Sequence, residues 1–109
     1  MIAHGGLLSF AADVAPSLEE DYNRWYEEEH LAERLAIPGF LRACRYRALN
    51  GGPKYLALYE VTSPSIFSSE QYLHFLKGSG ETPWTRRVLA SCSNAQRLIY
   101  EKISERSAT

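Results

Sequence analysis

Two segments of this chain carry apolar side chains on both faces that a β-strand would present. Residues 7–14 lie between Gly-Gly and Ala-Pro, and residues 54–61 follow Asn-Gly-Gly-Pro. Both segments are short and apolar, which predicts a strand in each. An antiparallel sheet with one face in water would alternate toward polar residues on that face. We therefore expect the sheet that contains these strands to be covered on both sides.

The remaining segments complete a β-α-β-β-α-β order, which is the ferredoxin-like α+β arrangement. The predicted elements are strands over 7–14, 40–48, 54–61 and 94–103 and helices that begin at Ser17, Ser63 and Thr82, the second ending at Lys77-Gly78. Ser17 and Glu20 form a capping-box pattern. Right-handed crossovers place the helices on one face of a four-stranded antiparallel sheet. A second copy of the chain, packed sheet against sheet, is the simplest cover for the other face.

The first helix has a periodicity that one straight helix cannot satisfy. At about 100° per residue, one set of side chains shares a face and a second set points to the opposite side. The first set is Leu18, Tyr22, Trp25, Tyr26 and Glu29, and the second is Leu31, Leu35 and Ile37. We expect a break or change of direction just after His30, with 32–36 as a separate turn or short helix. His30 would then lie at an irregular junction beside a cleft.

Composition indicates one cytoplasmic domain over residues 1–109, with 104–109 as a frayed tail. The 12 Lys+Arg and 13 Asp+Glu residues are dispersed and the net charge is -1, which argues against nucleic-acid binding. No segment approaches the roughly 20 apolar residues of a membrane span, and the N-terminus lacks a signal-peptide pattern. Cys44 and Cys92 form no CxxC pair and are expected to remain thiols.

His30 is the first candidate for a functional residue because imidazole exchanges protons near neutral pH. It could act as a general acid/base in a partly apolar cleft, or it could bond a free carbonyl at a helix end. Tyr22, Trp25 and Tyr26 are candidates for the pocket wall, although aromatics at helical spacing often form core. Trp84 could close the cleft on a lid after Gly78-Ser79-Gly80, or it could anchor a short helix.

The polar residues of the second strand leave two interpretations open. Alternation sends Arg45 to one face and Arg42 to the other. A buried Arg45 would need a carboxylate, with Glu60 on the paired strand as the expected partner, or it could recognise a substrate carboxylate or phenolate. No HxxxH or HxH spacing supports a metal site, and no glycine-rich phosphate loop is present, so neither a metal nor a nucleotide is expected.

Several of these residues resemble those of the EthD-like branch of the dimeric α+β barrel superfamily. The matching segments are Trp25-Tyr26-x-x-Glu29-His30, Pro38-Gly39-Phe40, Arg45-Tyr46, residues 55–60 and Pro83-Trp84-Thr85-Arg86-Arg87. The resemblance implies a homodimer with a ligand cleft between the sheet and helices of each protomer, and it implies His30 as the position to test. The superfamily includes cofactor-free monooxygenases, small lyases and isomerases, decarboxylating enzymes, haem-binding proteins and proteins of no known activity.

The leading hypothesis is a small homodimeric enzyme that needs no cofactor and acts on an aromatic or polyketide-like molecule. His30 would transfer the proton, and the ligand would contact Tyr22, Trp25, Tyr26, Tyr46 and Trp84. Isomerisation, cyclisation, lyase chemistry or cofactor-free oxygenation would fit such a site. The alternative is a non-catalytic dimer that binds a small hydrophobic ligand, and a third possibility is a subunit that only supports a larger assembly.

Overall fold

A computed structural model describes residues 5–76 and 81–108 and contains one four-stranded antiparallel sheet. Its strands are β1 (Gly6–Val14), β2 (Phe40–Arg47), β3 (Tyr55–Val61) and β4 (Cys92–Glu101). They lie in the order β2-β3-β1-β4, with every neighbouring pair antiparallel. This order confirms the predicted ferredoxin-like α+β fold. No helix in the described ranges is long and apolar enough to cross a membrane.

Helical segments connect β1 to β2 and β3 to β4. The first connection has a 3-10 turn (Pro16–Leu18), α1 (Glu19–Trp25), a π-helical turn (Tyr26–His30) and α2 (Leu31–Leu35). The second has a 3-10 turn (Pro64–Ser68), α3 (Glu70–Leu76) and α4 (Pro83–Ala90). The Ser63 and Thr82 side chains accept backbone N–H groups at the starts predicted for them. The predicted helix end at Lys77-Gly78 and the Gly78-Ser79-Gly80 loop lie outside the described residues.

The core lies between the helices and the inner face of the sheet. Alternate residues of β3, from Tyr55 to Val61, are buried, and Leu8 and Ala12 of β1 are buried beside them. Much of the filling is aromatic, and the side chains with less than 2% exposure include Trp25, Tyr22, Tyr26, Tyr59 and Tyr72. An aromatic core of this kind fixes the helices against the sheet because each ring removes a large apolar area from water.

The outer face of the sheet carries many apolar side chains, as predicted from its two central strands. Leu56 and Leu58 of β3 are half-buried by their neighbours alone. Tyr46, Leu98 and Tyr100 extend this face and are 53%, 45% and 47% exposed. No helix of the described ranges lies on this side, so the face is open in a single protomer.

The predicted capping box at Ser17 is wrong. Pro16 begins a 3-10 turn with Ala15 before it, and no side chain caps that turn. Ser17 lies inside the turn, and α1 begins after Leu18 without a side-chain cap. Proline sets its own φ angle and has no N–H to lose at a helix start, so it begins the turn one residue early.

The break predicted just after His30 is wrong in its position, because the irregularity is a π-helical turn over Tyr26–His30 that ends at this residue. The N–H of Leu31 donates to the carbonyl of Tyr26, five residues earlier, and the chain stays helical through Leu35. The wider turn shifts the helical register, so Tyr26 and His30 are both buried and Leu31 still packs against the core. Such turns occur often at functional sites.

Strand β4 begins at Cys92, two residues before the predicted start. The pairing with β1 shifts register between Ala11 and Asp13, and Asn94 in the bulged segment has φ 52°. Asparagine tolerates this left-handed conformation better than most residues, so the strand continues through the bulge. Residues 102–108 form no helix or strand and are exposed.

Candidate functional site

A cavity of about 120 Å³ lies between the inner face of the sheet and the first helical connection. Its lining residues are Leu8, Phe10, Trp25, Tyr26, His30, Arg34, Tyr59, Leu89 and Arg97. An engineered apolar cavity of about 150 Å³ is known to hold benzene. The space in this protein is therefore of the order of one aromatic ring.

His30 forms part of the cavity wall and is held there by aromatic rings. Its imidazole stacks on Trp25, with ring centroids 4.1 Å apart and planes 19° apart. Tyr26 and Tyr59 present their rings nearly perpendicular to it, at 5.4 Å and 6.4 Å. Only 8% of His30 is exposed. The ring orientation is thus set by packing on three sides.

The hydrogen bonds of His30 define its protonation. Nε2 accepts from Nε of Arg34 over 3.2 Å, so a neutral ring carries its proton on Nδ1. Nδ1 lies 3.6 Å from the Glu33 Oε1. Burial, followed by the charge of Arg34, holds the pKa of His30 well below its ordinary value of 6.5. The imidazole is therefore neutral near pH 7.

Three residues of the cavity wall hold buried polar atoms without a hydrogen-bond partner among the described residues. They are Nδ1 of His30, Nη1 of Arg34 and the hydroxyl of Tyr59. Buried polar groups are nearly always hydrogen-bonded, because an unsatisfied one costs about 1–3 kcal/mol. Burial raises the pKa of Tyr59, so its hydroxyl keeps its proton and can donate. A bound ligand could satisfy these atoms.

A hydrogen-bond network from α4 holds the cavity wall in place. Nε1 of Trp25 donates to Oγ1 of Thr85 over 3.0 Å in the buried core. Oε2 of Glu29 accepts from Thr82 at 2.6 Å and from Thr85 at 3.3 Å. Since Thr82 also caps α4, this network ties the helix start to the indole against which His30 stacks.

The structure brings only some of the predicted site residues together. Trp25, Tyr26 and His30 line the cavity. Tyr22 is buried against Tyr26 and does not line it. Tyr46 does not line it either, because alternation along β2 points its side chain to the outer face.

Trp84 lies outside the cavity lining and packs partly buried against the core. Its Nε1 donates to Asp21 Oδ1 of α1 over 3.1 Å. This contact fits the expectation of an anchor for the short helix rather than that of a cavity lid.

The predicted pairing of Arg45 with Glu60 is wrong. Arg45 points to the inner face, where it donates to Glu27 at 3.0 Å and to Asn23 at 2.7 Å, with its guanidinium 4.4 Å from the Tyr26 ring centroid. Glu60 lies on the outer face and pairs with Arg42. Adjacent side chains alternate across a sheet, so the two partners proposed from sequence lie on opposite sides.

Sequence reasoning missed Arg34, Tyr59 and Arg97 as lining residues. Arg34 follows His30 by four residues, the spacing at which helical side chains meet, and this signal was available. Tyr59 and Arg97 come from different strands, and only the sheet register places them together. No group of three His, Cys, Asp or Glu side chains suited to a metal occurs within 5–76 and 81–108.

Comparison with known proteins identifies the fold. No protein-family model and no curated protein sequence matches this chain. A dimeric ferredoxin-like protein from an uncultured marine organism matches with a TM-score of 0.71 at 13% identity, over 98% of this chain and 94% of that one. A NIPSNAP-like domain protein from Burkholderia xenovorans matches with a TM-score of 0.65 at 12% identity, over 97% and 91%.

A third solved structure, that of the cofactor-independent oxygenase SnoaB from Streptomyces nogalater, has a TM-score of 0.57 at 16% identity. The match covers 96% of this chain and 94% of that one. At these identities the likeness concerns the fold, and the narrower EthD-like assignment stays a prediction. The chain has the ferredoxin-like α+β fold found in dimeric proteins of this architecture.

Proposed function

We propose that this protein is a small homodimeric enzyme in which His30, without a bound cofactor, transfers a proton of an aromatic or polyketide-like small molecule. The observation that carries the proposal is the buried, neutral imidazole at the wall of a mostly apolar cavity, beside the Tyr59 hydroxyl, whose proton no described residue accepts. A neutral imidazole is the form that accepts a proton, and burial keeps it in that form at neutral pH.

In the proposed reaction the lone pair on Nε2 of His30 takes a proton from a C–H beside a carbonyl or from an acidic O–H of the substrate. Arg34 must first release Nε2, because its Nε–H occupies that lone pair. The electrons of the broken bond move to the substrate oxygen, which becomes an enolate or phenolate. The Tyr59 hydroxyl would donate to that oxygen, and the Glu33 carboxylate would stabilise the imidazolium at Nδ1.

The fate of the anion determines the reaction class. Return of the proton from His30 to a different carbon completes an isomerisation. Attack of the carbanion on a carbonyl of the same molecule forms a ring and an alkoxide, and return of the proton from His30 to that alkoxide completes a cyclisation. Transfer of its electrons to dioxygen, as co-substrate, would begin an oxygenation, and the fold shared with the cofactor-independent oxygenase SnoaB supports including this class.

The homodimer belongs to the same proposal. The open outer face carries Leu56, Leu58, Leu98 and Tyr100, and a second copy would remove these side chains from water. The match to a protein described as a dimeric ferredoxin-like protein supports this arrangement.

A non-catalytic ligand-binding dimer is the second candidate, and one contact favours it. Arg34 occupies the only lone pair that a neutral His30 offers. If Arg34 stays there with ligand bound, the cavity can hold an aromatic ring but His30 cannot accept a proton.

Deuterium exchange distinguishes the two candidates. Phenylpyruvate and its neutral analogue phenylacetone in D₂O would be followed by NMR for exchange at the carbon between ring and carbonyl, and oxygen uptake would be measured with monocyclic phenols. We expect His30→Gln to lower the protein-dependent rate about 10²- to 10⁴-fold. His74→Gln, which alters an exposed histidine on α3, is the matched control and should retain the rate.

The outcomes separate clearly. Full exchange or oxygen uptake by a folded His30→Gln variant contradicts the catalytic role. Saturable ligand binding without any protein-dependent exchange or oxygen uptake favours the binding dimer.

A further inference from the structure

We propose that the cavity is selective for an anionic ligand, a single aromatic ring bearing a carboxylate or an ionised hydroxyl, and that Arg34 and Arg97 bind its negative charge. This inference rests on the proposed function and specifies the substrate class of the same site. The charge selectivity is nevertheless an equilibrium property that can be measured without turnover.

Two guanidinium groups line a cavity whose other walls are mostly apolar or aromatic. Neither Arg34 nor Arg97 forms an ion pair with an Asp or Glu in the part of the chain that the structure describes. Arg24, Arg42 and Arg45, by contrast, each have a carboxylate partner. Arg34 is half-buried with its Nη1 atom fully buried, and Arg97 is exposed on the side away from the cavity wall that it forms. A guanidinium N–H that is buried without an acceptor is costly, so Arg34 in particular favours a ligand that brings a negative charge.

The two arginines both contact Tyr72. The guanidinium carbon of Arg34 lies 5.3 Å from the Tyr72 ring centroid, and that of Arg97 lies 5.6 Å from it. Arg97 also donates to the Tyr72 hydroxyl. Since Tyr72 is fully buried, it gives both side chains a common support. Both arginines also line the same small cavity, so the proposal places the anionic group of the ligand between them.

Arg34 has N–H groups at the cavity that no described residue accepts. Arg34 uses Nε on His30, and its Nη1 is buried without a partner among the described residues. A planar guanidinium suits a carboxylate because two parallel N–H groups meet two oxygens. A neutral ligand would leave both guanidinium groups without an ion-pair partner among the described residues.

An anion would also change the contact that blocks His30. A charged oxygen is a stronger acceptor than a neutral ring nitrogen, so a bound anion competes with Nε2 for the Nε–H of Arg34. Movement of Arg34 toward the ligand leaves the Nε2 lone pair free. Binding of the correct charge would thereby expose the base, which makes Arg34 a positioning residue for His30.

Benzoate and benzamide are a matched pair of probes, since they differ in charge at nearly equal size. Their dissociation constants would be measured near neutral pH by following the Trp25 indole and His30 signals by NMR. We expect benzoate to bind at least about tenfold more tightly than benzamide. Addition of benzoate should also shift the ¹⁵N resonance of His30 Nε2, which reports loss of its hydrogen bond.

Variants test which groups carry the selectivity. Arg34→Gln and Arg97→Gln should each remove most of the preference for benzoate. Arg34→Lys, which keeps the charge without the planar fork, should retain part of it. Arg86→Gln removes the same charge from an exposed position of α4 outside the cavity and should leave the preference unchanged.

Equal affinity for the two probes overturns the inference, as does failure of both to bind at millimolar concentration. A preference that survives in folded Arg34→Gln and Arg97→Gln variants overturns the assignment of these residues. His30→Gln should keep the preference while losing proton transfer. Loss of catalysis and loss of charge selectivity are therefore separate results, and each proposal can fail without the other.

Discussion

Nε of Arg34 donates to Nε2 of His30 over 3.2 Å, one helical turn along the same segment. The contact places a cation beside a buried imidazole and removes its lone pair from the cavity. It also explains why His30 is neutral, because burial and the neighbouring charge both lower its pKa. Any chemistry at His30 therefore depends on where Arg34 lies.

The low pKa of His30 predicts that acid destabilises the fold. Below pH 6.5 an unfolded His30 takes up a proton while the folded one remains neutral until its lower pKa is reached. The unfolded state then binds more protons, so the free energy of unfolding falls as the pH is lowered through this window. Urea denaturation at stepped pH should show a shallower fall for His30→Gln than for wild type. Equal slopes for wild type and His30→Gln would contradict the buried neutral assignment.

The hydrogen bond between Trp25 and Thr85 predicts a second stability effect. Thr85→Val keeps the shape of the side chain but leaves the buried indole N–H without its acceptor. We expect a loss of about 1–3 kcal/mol in the free energy of unfolding. Thr85→Ser retains the hydroxyl and should cost clearly less. Guanidinium denaturation measures both, and a Thr85→Val variant as stable as Thr85→Ser would contradict the role of the bond.

The turn before β2 predicts that the stability of the fold depends strongly on glycine at position 39. Gly39 has φ +96°, and a Cβ there would overlap the Ile66 side chain, with Cγ1 at 2.7 Å. Gly51 has φ +79° with nothing within 4 Å of the same added atom, so Gly51→Ala reports backbone strain alone. We expect thermal unfolding to show a cost of about 1 kcal/mol for Gly51→Ala and about 2–4 kcal/mol for Gly39→Ala. Equal costs would show that the Ile66 contact relaxes freely.

The open outer face of the sheet predicts that a charge introduced on this face dissociates the dimer. Leu98 on the outer face and Leu35 on α2 are 45% and 43% exposed in the single protomer, so they form a matched pair. Leu98→Lys should shift the protein to monomer in sedimentation analysis, because a buried ammonium at an interface is unfavourable. Leu35→Lys should remain dimeric. If wild type is itself a monomer in dilute solution, the outer face is not the interface.

The strand and turn assignments followed from the sequence because their causes are local. Alternate side chains of residues 55–61 belong to opposite faces whatever surrounds them, and both faces are apolar. Pro64 and Pro83 set helix starts through their own backbone geometry. The exception at Ser17 is also local, since Pro16 starts the turn before the serine can cap it.

The residues of the candidate site could be predicted from the sequence only in part. Trp25, Tyr26 and His30 were identified because they lie close together in sequence and all three line the cavity. Tyr46 was predicted to contact the ligand, but its side chain points to the outer face of the sheet. Which face of β2 meets the cavity depends on where the helices pack, so only the folded chain could exclude Tyr46 from the site.

The order of the elements, the apolar character of both sheet faces and an irregular helix near His30 were predictable, because they depend on side-chain periodicity within single segments. The surroundings of that histidine, by contrast, depend on how distant segments pack. The π-helical turn sets its orientation, and the packing of α3 and β4 brings Tyr72 and Arg97 to the region of Arg34. Burial and charge at a site arise from groups distant in sequence, and their effects on a proton or an anion exist only once the chain is folded.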